Sequence, residues 1–165
     1  MDFVQTYHIP DDMCDDIISN LTIDTREKSI LRVELPEIHE TIFDFLRQYL
    51  FKIEEFNYFG TISTLKFNAN NTIIRYIPPW KYQMYEPGGE GNFNFFIFLV
   101  DNESIFEVFN PFIRGCFRVR PQKGLVVIFP AIWMMMFRHT DTFDKMSIFI
   151  SGSLNVDNLD DMENS

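Results

Sequence analysis

Histidine is scarce: only His8, His39 and His139 occur in a chain of 165 residues. A metal centre, or a nucleophile with its base, would have to be assembled around these three, and their scatter leaves no such constellation. Cysteine is scarcer, with Cys14 and Cys116 far apart and in no paired spacing, which points to reduced intracellular thiols rather than a disulfide framework. Bases are outnumbered, 14 Lys and Arg against 24 Asp and Glu, and the net charge of −10 excludes sequence-independent nucleic-acid binding. No apolar run approaches the ~18 residues of a membrane span. The opening Met1-Asp2-Phe3-Val4 lacks the basic-then-apolar order of a secretory leader. The expectation is a cytoplasmic protein that is not secreted and has neither membrane nor nucleic acid as a partner.

What the chain has in excess is phenylalanine, 19 residues of it. Residues 121–154 organise the rest. Pro121 to Gly124 is turn chemistry, and 125–129 is an apolar run too short for a helix, hence a buried strand that Pro130 ends. Residues 131–144 read as a loop at the mouth of a barrel or sandwich. The period of two in 145–154 makes a second strand, paired beside the first into one wall. Upstream, Asp11 or Asp12 caps a short helix running through Met13, Ile17 and Leu21, and Pro36 opens a longer one over 36–56. Residues 28–35 suit a strand between them.

From residue 57 every signal is β. Segments 61–67, 72–77, 80–86, 93–100, 105–109, 115–120, 125–129 and 145–154 are rich in Phe, Ile, Val, Tyr and Thr. Turn residues such as Asn68-Ala69-Asn70-Asn71 and Pro87-Gly88-Gly89 separate them. Eight strands behind two helices make an α+β jelly roll. The expected domain is 1–154, helical over 10–56 and β over 57–154, followed by a flexible acidic tail at 155–165. Acids concentrate in residues 1–60, 13 against 5 bases, and bases in 114–145, which suggests opposite faces of opposite sign.

The order Tyr7-His8-Ile9-Pro10-Asp11-Asp12, then a long helix, then Tyr85-Glu86-Pro87-Gly88-Gly89-Glu90-Gly91, then Gly124 through Trp133 and Lys145 through Gly152, resembles the small Fe(II)/2-oxoglutarate dioxygenases of the prolyl-4-hydroxylase type, above all the short phage and large-DNA-virus forms. The resemblance implies a double-stranded β-helix and an iron held by two histidines and a carboxylate. At the ligand positions it implies, this chain carries Phe96, Phe98 and Phe137, none of which binds a metal. His139-Thr140-Asp141 has the His-x-Asp form, but no histidine follows it. Lys145 stands where the family keeps the base that pairs with 2-oxoglutarate. With Arg118, Arg120, Arg138 and His139 it forms a possible vestigial anion site.

Neither catalytic nor metal-binding residues are therefore expected, and no cofactor. Fe(II) and 2-oxoglutarate enter only if the site has been rebuilt. Met134, Met135, Met136 and Phe137, with Phe95, Phe96 and Phe98 from facing strands, would fill the vacated volume or dock a partner. Three readings follow. One is an inactive relative working in assembly or self-association, in a virion or the host-cell cytoplasm. The others are an active hydroxylase with a rebuilt site and a small-anion binder.

Overall fold

The computed structural model describes residues 3–20, 31–32, 36–53, 65–77, 83–85, 91–111, 115–138 and 147–158. Strand β1 (Gln5–His8) precedes α1 (Asp11–Ser19), β2 (Leu31–Arg32) and α2 (Pro36–Lys52). Eight strands follow: β3 (Leu65–Ile77), β4 (Gln83–Tyr85), β5 (Phe93–Phe98), β6 (Ile105–Phe109), β7 (Cys116–Val119), β8 (Leu125–Pro130), β9 (Met134–Arg138) and β10 (Ser147–Asn158). They form two antiparallel sheets, one in the order β1-β8-β5-β10-β3-β2, the other β4-β9-β6-β7.

Both faces of the large sheet are covered, which explains why its strands read as unbroken apolar runs. Ile42, Leu46 and Leu50 of α2 pack with Cys14 and Ile17 of α1 on Phe93, Phe95, Ile97, Ile148 and Ile150. The alternate residues of the same strands, Phe96, Phe98, Val127, Phe129 and Phe149, meet Phe106 and Val108 of β6 and Met135 of β9. Pro36 starts α2 as expected, while α1 has Pro10 at its N-cap and no side-chain cap bond, so Asp11 and Asp12 act only as first-turn charges at the positive end of the dipole. The described part of α2 closes at Lys52, and residues 54–56 of the expected helix lie outside the described residues.

Several expected boundaries are corrected. The composition suggests two strands, 61–67 and 72–77, around an Asn-rich turn, but 65–77 is one strand whose register against β10 slips between Ser151 and Ser153, and residues 61–64 lie outside the described residues. The polar run is a β-bulge: Asn71 and Thr72 face the single Gly152, and His39 Nε2 from α2 meets Thr72 Oγ1 at 3.0 Å. The expected mouth loop contains β9, because three methionines and a phenylalanine pair readily as a strand once β4 and β6 flank them. The strands 125–129 and 145–154 are not neighbours either, since β5 lies between β8 and β10. Four residues of the expected tail, 155–158, continue β10 beside β3; β2 falls within the expected strand 28–35, and β1, ahead of the expected helical part, adds an unexpected strand to the large sheet.

Gly124 is the node of the turn before β8. Leu125 N donates to Gln122 O, and Gly124, at φ 86°, donates its own N–H to Phe98 O and accepts from Ile9 N. A Cβ here would stand 2.5 Å from Ile9 O, a backbone atom fixed by that bond. Gly124→Ala is expected to cost about 2–3 kcal/mol, from the left-handed conformation and the displaced strand entry together, checked by urea unfolding.

Tyr7 supplies a pH-dependent term. Its ring stacks on Phe45 at 4.8 Å with Lys52 Nζ above it, and its hydroxyl is buried without a hydrogen-bond partner among the described residues. Burial pushes the phenol up to about 12. A raised folded-state value means that this stabilising contribution is whole below pH 10 and is lost as pH climbs from 10 toward 12. Tyr7→Phe is expected to be neutral to about 1 kcal/mol stabilising at pH 7 and to flatten the fall of Tm across that alkaline window.

Candidate functional site

The space between the two sheets is where the sequence placed its candidate site, and aromatic rings occupy it. β5 turns Phe96 and Phe98 inward because they alternate with Phe93, Phe95 and Ile97, which the helices cover. The Phe96 ring lies 4.9 Å from Phe106, 5.4 Å from Phe149, 6.0 Å from Phe129 and 6.3 Å from Phe98. Phe98 meets Phe106 edge to face at 5.4 Å. Phe96 and Phe98 are 3% and 1% exposed, so each burial contributes on the order of 2–3 kcal/mol. Phe137 lies on β9 with its backbone in register with Phe106. Two of the three positions that the resemblance singled out, Phe96 and Phe98, therefore lie in one aromatic cluster. Phe95, expected in the same cluster, faces the helices instead.

The end of this space where β8 leaves for β9 is polar in a way the sequence reading missed. Asn94 is 4% exposed on the inward face of β5; its Nδ2 donates to Ala131 O at 3.5 Å, and its Oδ1 accepts from Ser153 Oγ at 3.3 Å. Asn92 Oδ1 accepts from Val156 N. The signal was the pair of asparagines in Asn92-Phe93-Asn94, polar residues at the head of an otherwise apolar strand. The amino-terminal segment reaches the same end. Val4 joins the inner cluster, Phe3 meets Trp133 edge to face at 5.8 Å, and Tyr49 Oη donates to Phe3 O at 2.7 Å.

Arg118, one member of the expected anion site, does not face this space. Arg118 lies opposite Glu107, on the face of the small sheet turned away from Phe106 and Val108, and its Nε bonds the Glu107 carboxylate at 3.0 Å. Glu107 is 1% exposed, and the Arg118 guanidinium reaches it from the solvent side. Arg138 has its backbone in register with Ile105, and His139 and Lys145 lie outside the described residues.

Arg120 sits in an open cleft of about 440 Å³ with Asp11, Asp101, Asn102, Gln122 and Lys123. Lys123 pairs with Asp15 of α1, whose hydrogen bond holds its ammonium above the usual lysine range. Burial pushes the neighbouring Cys14 thiol up, which keeps it protonated and unreactive. The acidic and basic stretches thus meet on one side of the molecule at α1 and the 120–123 turn, and the expected opposite faces are corrected there.

No family model matches the sequence, and no curated protein matches it either. Among solved structures, the chain is similar to the viral collagen prolyl hydroxylase of Paramecium bursaria Chlorella virus-1 in its 2OG complex. The TM-score is 0.64 at 12% identity, over 93% of this chain and 96% of that one. The chain has the prolyl-hydroxylase fold. A Pseudomonas putida prolyl-4-hydroxylase aligns with a TM-score of 0.60, again at 12% identity, over 93% of this chain and 87% of that one. At such identity the prolyl-hydroxylase likeness concerns the backbone, and chemistry has to be argued from side chains.

The iron that this fold implies does not fit the positions the resemblance assigns to it. Phe96 and Phe98 offer hydrocarbon where imidazole and carboxylate would be required. Among the described residues, no group of three or more His, Cys, Asp or Glu side chains is placed to hold a metal ion.

Proposed function

We propose that this protein is a non-catalytic relative of the 2-oxoglutarate oxygenases that works as a structural or protein-interaction component, in a viral setting. The reading includes the double-stranded β-helix itself. From β3 to β10 the chain passes between sheets so that β3-β10-β5-β8 faces β4-β9-β6-β7, the interleaving that two antiparallel layers of one rolled ribbon produce. The observation that carries the loss of catalysis is the buried pair Phe96 and Phe98, ring-packed to Phe106, Phe129 and Phe149.

Support for an interaction role comes from the surface. Phe51 on α2 and Ile132 in the β8–β9 turn, 67% and 66% exposed, are the large apolar side chains among the described residues at which a partner or second copy could dock. The viral setting rests on the likeness to a viral enzyme and on a composition rich in Phe, Ile and Asn. A hydroxylase with a rebuilt site is the competing reading. It would need donors from outside the described residues, His139 and Lys145 included.

Anaerobic addition of Fe(II) and 2-oxoglutarate to the purified protein is expected to give no charge-transfer absorption, and admission of oxygen no succinate. Light scattering at micromolar concentration, with Phe51→Ser and Ile132→Ser as controls, is expected to show association that the substitutions weaken. Stoichiometric iron with turnover would overturn the non-catalytic reading. A monomer indifferent to both substitutions and retaining no partner from its native source would overturn the interaction role.

A further inference from the structure

We infer that the space between the two sheets is a closed hydrocarbon core that admits neither a metal ion nor a 2OG-like dicarboxylate, so that no vestigial co-substrate chamber survives. This deepens the non-catalytic reading and rests on it, because an active protein would need both ligands there.

Three observations carry it. The first is continuity: Phe96, Phe98, Phe106, Phe129 and Phe149 come from four strands in both sheets, and each ring lies within 6.3 Å of another by centroid. Each is at most 3% exposed. Rings at such spacings fill the gap by direct contact, and substituting one ligand position would not reopen it.

The second is donor chemistry. The polar side chains that β5 and β10 turn toward this space include Asn94 and Ser153, neutral groups that already bond each other and Ala131 O. A dicarboxylate buried here would not meet Arg118, which turns to the opposite face and binds Glu107. An ionised carboxylate without a partner stays in water.

The third is closure at the polar end. Val4 enters the inner cluster, Phe3 lies against Trp133, and the Tyr49 hydroxyl fixes Phe3 O, so the amino-terminal segment lies across the end where β8 leaves for β9. β1 holds that segment in place through its four-residue register with β8.

The test is NMR on full-length protein with ¹³C-labelled phenylalanine rings. Interior signals would be assigned from the conservative variants Phe96→Leu and Phe98→Leu. The protein is titrated with 2-oxoglutarate into the millimolar range and, separately, with paramagnetic Mn(II). The expected result is no shift of the interior ring signals with 2-oxoglutarate. Mn(II) broadening should be confined to exposed acidic residues. An interior ring shift that saturates with 2-oxoglutarate, or interior broadening at stoichiometric Mn(II), would overturn the inference. Saturating shifts without succinate formation would sink the closed core alone and leave the protein non-catalytic, whereas shifts with turnover would sink both readings.

Discussion

Phe96→Ala should remove about 3–5 kcal/mol of stability, measured by urea unfolding, because it deletes a ring that touches four others and leaves a cavity that the flanking strands cannot collapse into. β5 is paired on both sides, to β8 and β10, so the backbone has little freedom to relax inward. With domains of this size stable by roughly 5–15 kcal/mol, such a loss takes a large share of the total. A cost below about 1.5 kcal/mol would mean that the space around Phe96 is already loose.

The double substitution Phe96→His with Phe98→Asp should be worse still. It installs the His-x-Asp that the fold's enzymes are expected to use, yet places an imidazole and a carboxylate among Phe106, Phe129 and Phe149 with no hydrogen-bond partners prepared for them. The expected result is a chain largely unfolded at 25 °C by circular dichroism, with no rescue by Fe(II). Adding Phe137→His completes the set and should not restore folding or turnover. A folded variant that binds iron would show that the interior accommodates polar groups far better than its packing implies.

The sequence made much of this legible, and for identifiable reasons. Strands β5 and β8 stood out because burial on both faces demands unbroken apolar runs, and α2 because Pro36 and the spacing of Ile38, Ile42 and Leu46 mark its start and its face. Phe96 and Phe98 are placed in the interior by the ligand positions of the resemblance, whereas Phe95, expected beside them, faces the helices because an all-apolar run does not mark which of its two faces is which. The failures have physical causes too. Asn68 to Asn71 carries the composition of a turn, but a bulge opposite Gly152 absorbs the same residues without reversing the chain. Met134 to Phe137 carries no period, so pairing with β4 and β6, invisible locally, decides that it is a strand. The basic residues looked clustered because they are close in sequence. Strand alternation sends Arg118 outward, and the turn before β8 brings Arg120 and Lys123 to the acids of α1. The polar group of Asn94 and Ser153 depends on a pairing of β5 with β10 that no local pattern contains.

The order of strands in the large sheet sets a timetable for synthesis on the ribosome. β10, the last of the described strands in chain order, lies between β3 and β5, and β1, the first of them, pairs with β8. Until residue 158 has left the exit tunnel, β3 and β5 each keep one long apolar edge unpaired, and the nascent chain presents sticky, sheet-forming surface to everything around it. Completing the sheet therefore waits for pairings between strands far apart in sequence, which form slowly and leave edges exposed in the meantime. A premature stop before residue 147 would remove the strand that joins two halves of the sheet, and the released fragment is expected to pellet on centrifugation rather than persist as a smaller domain.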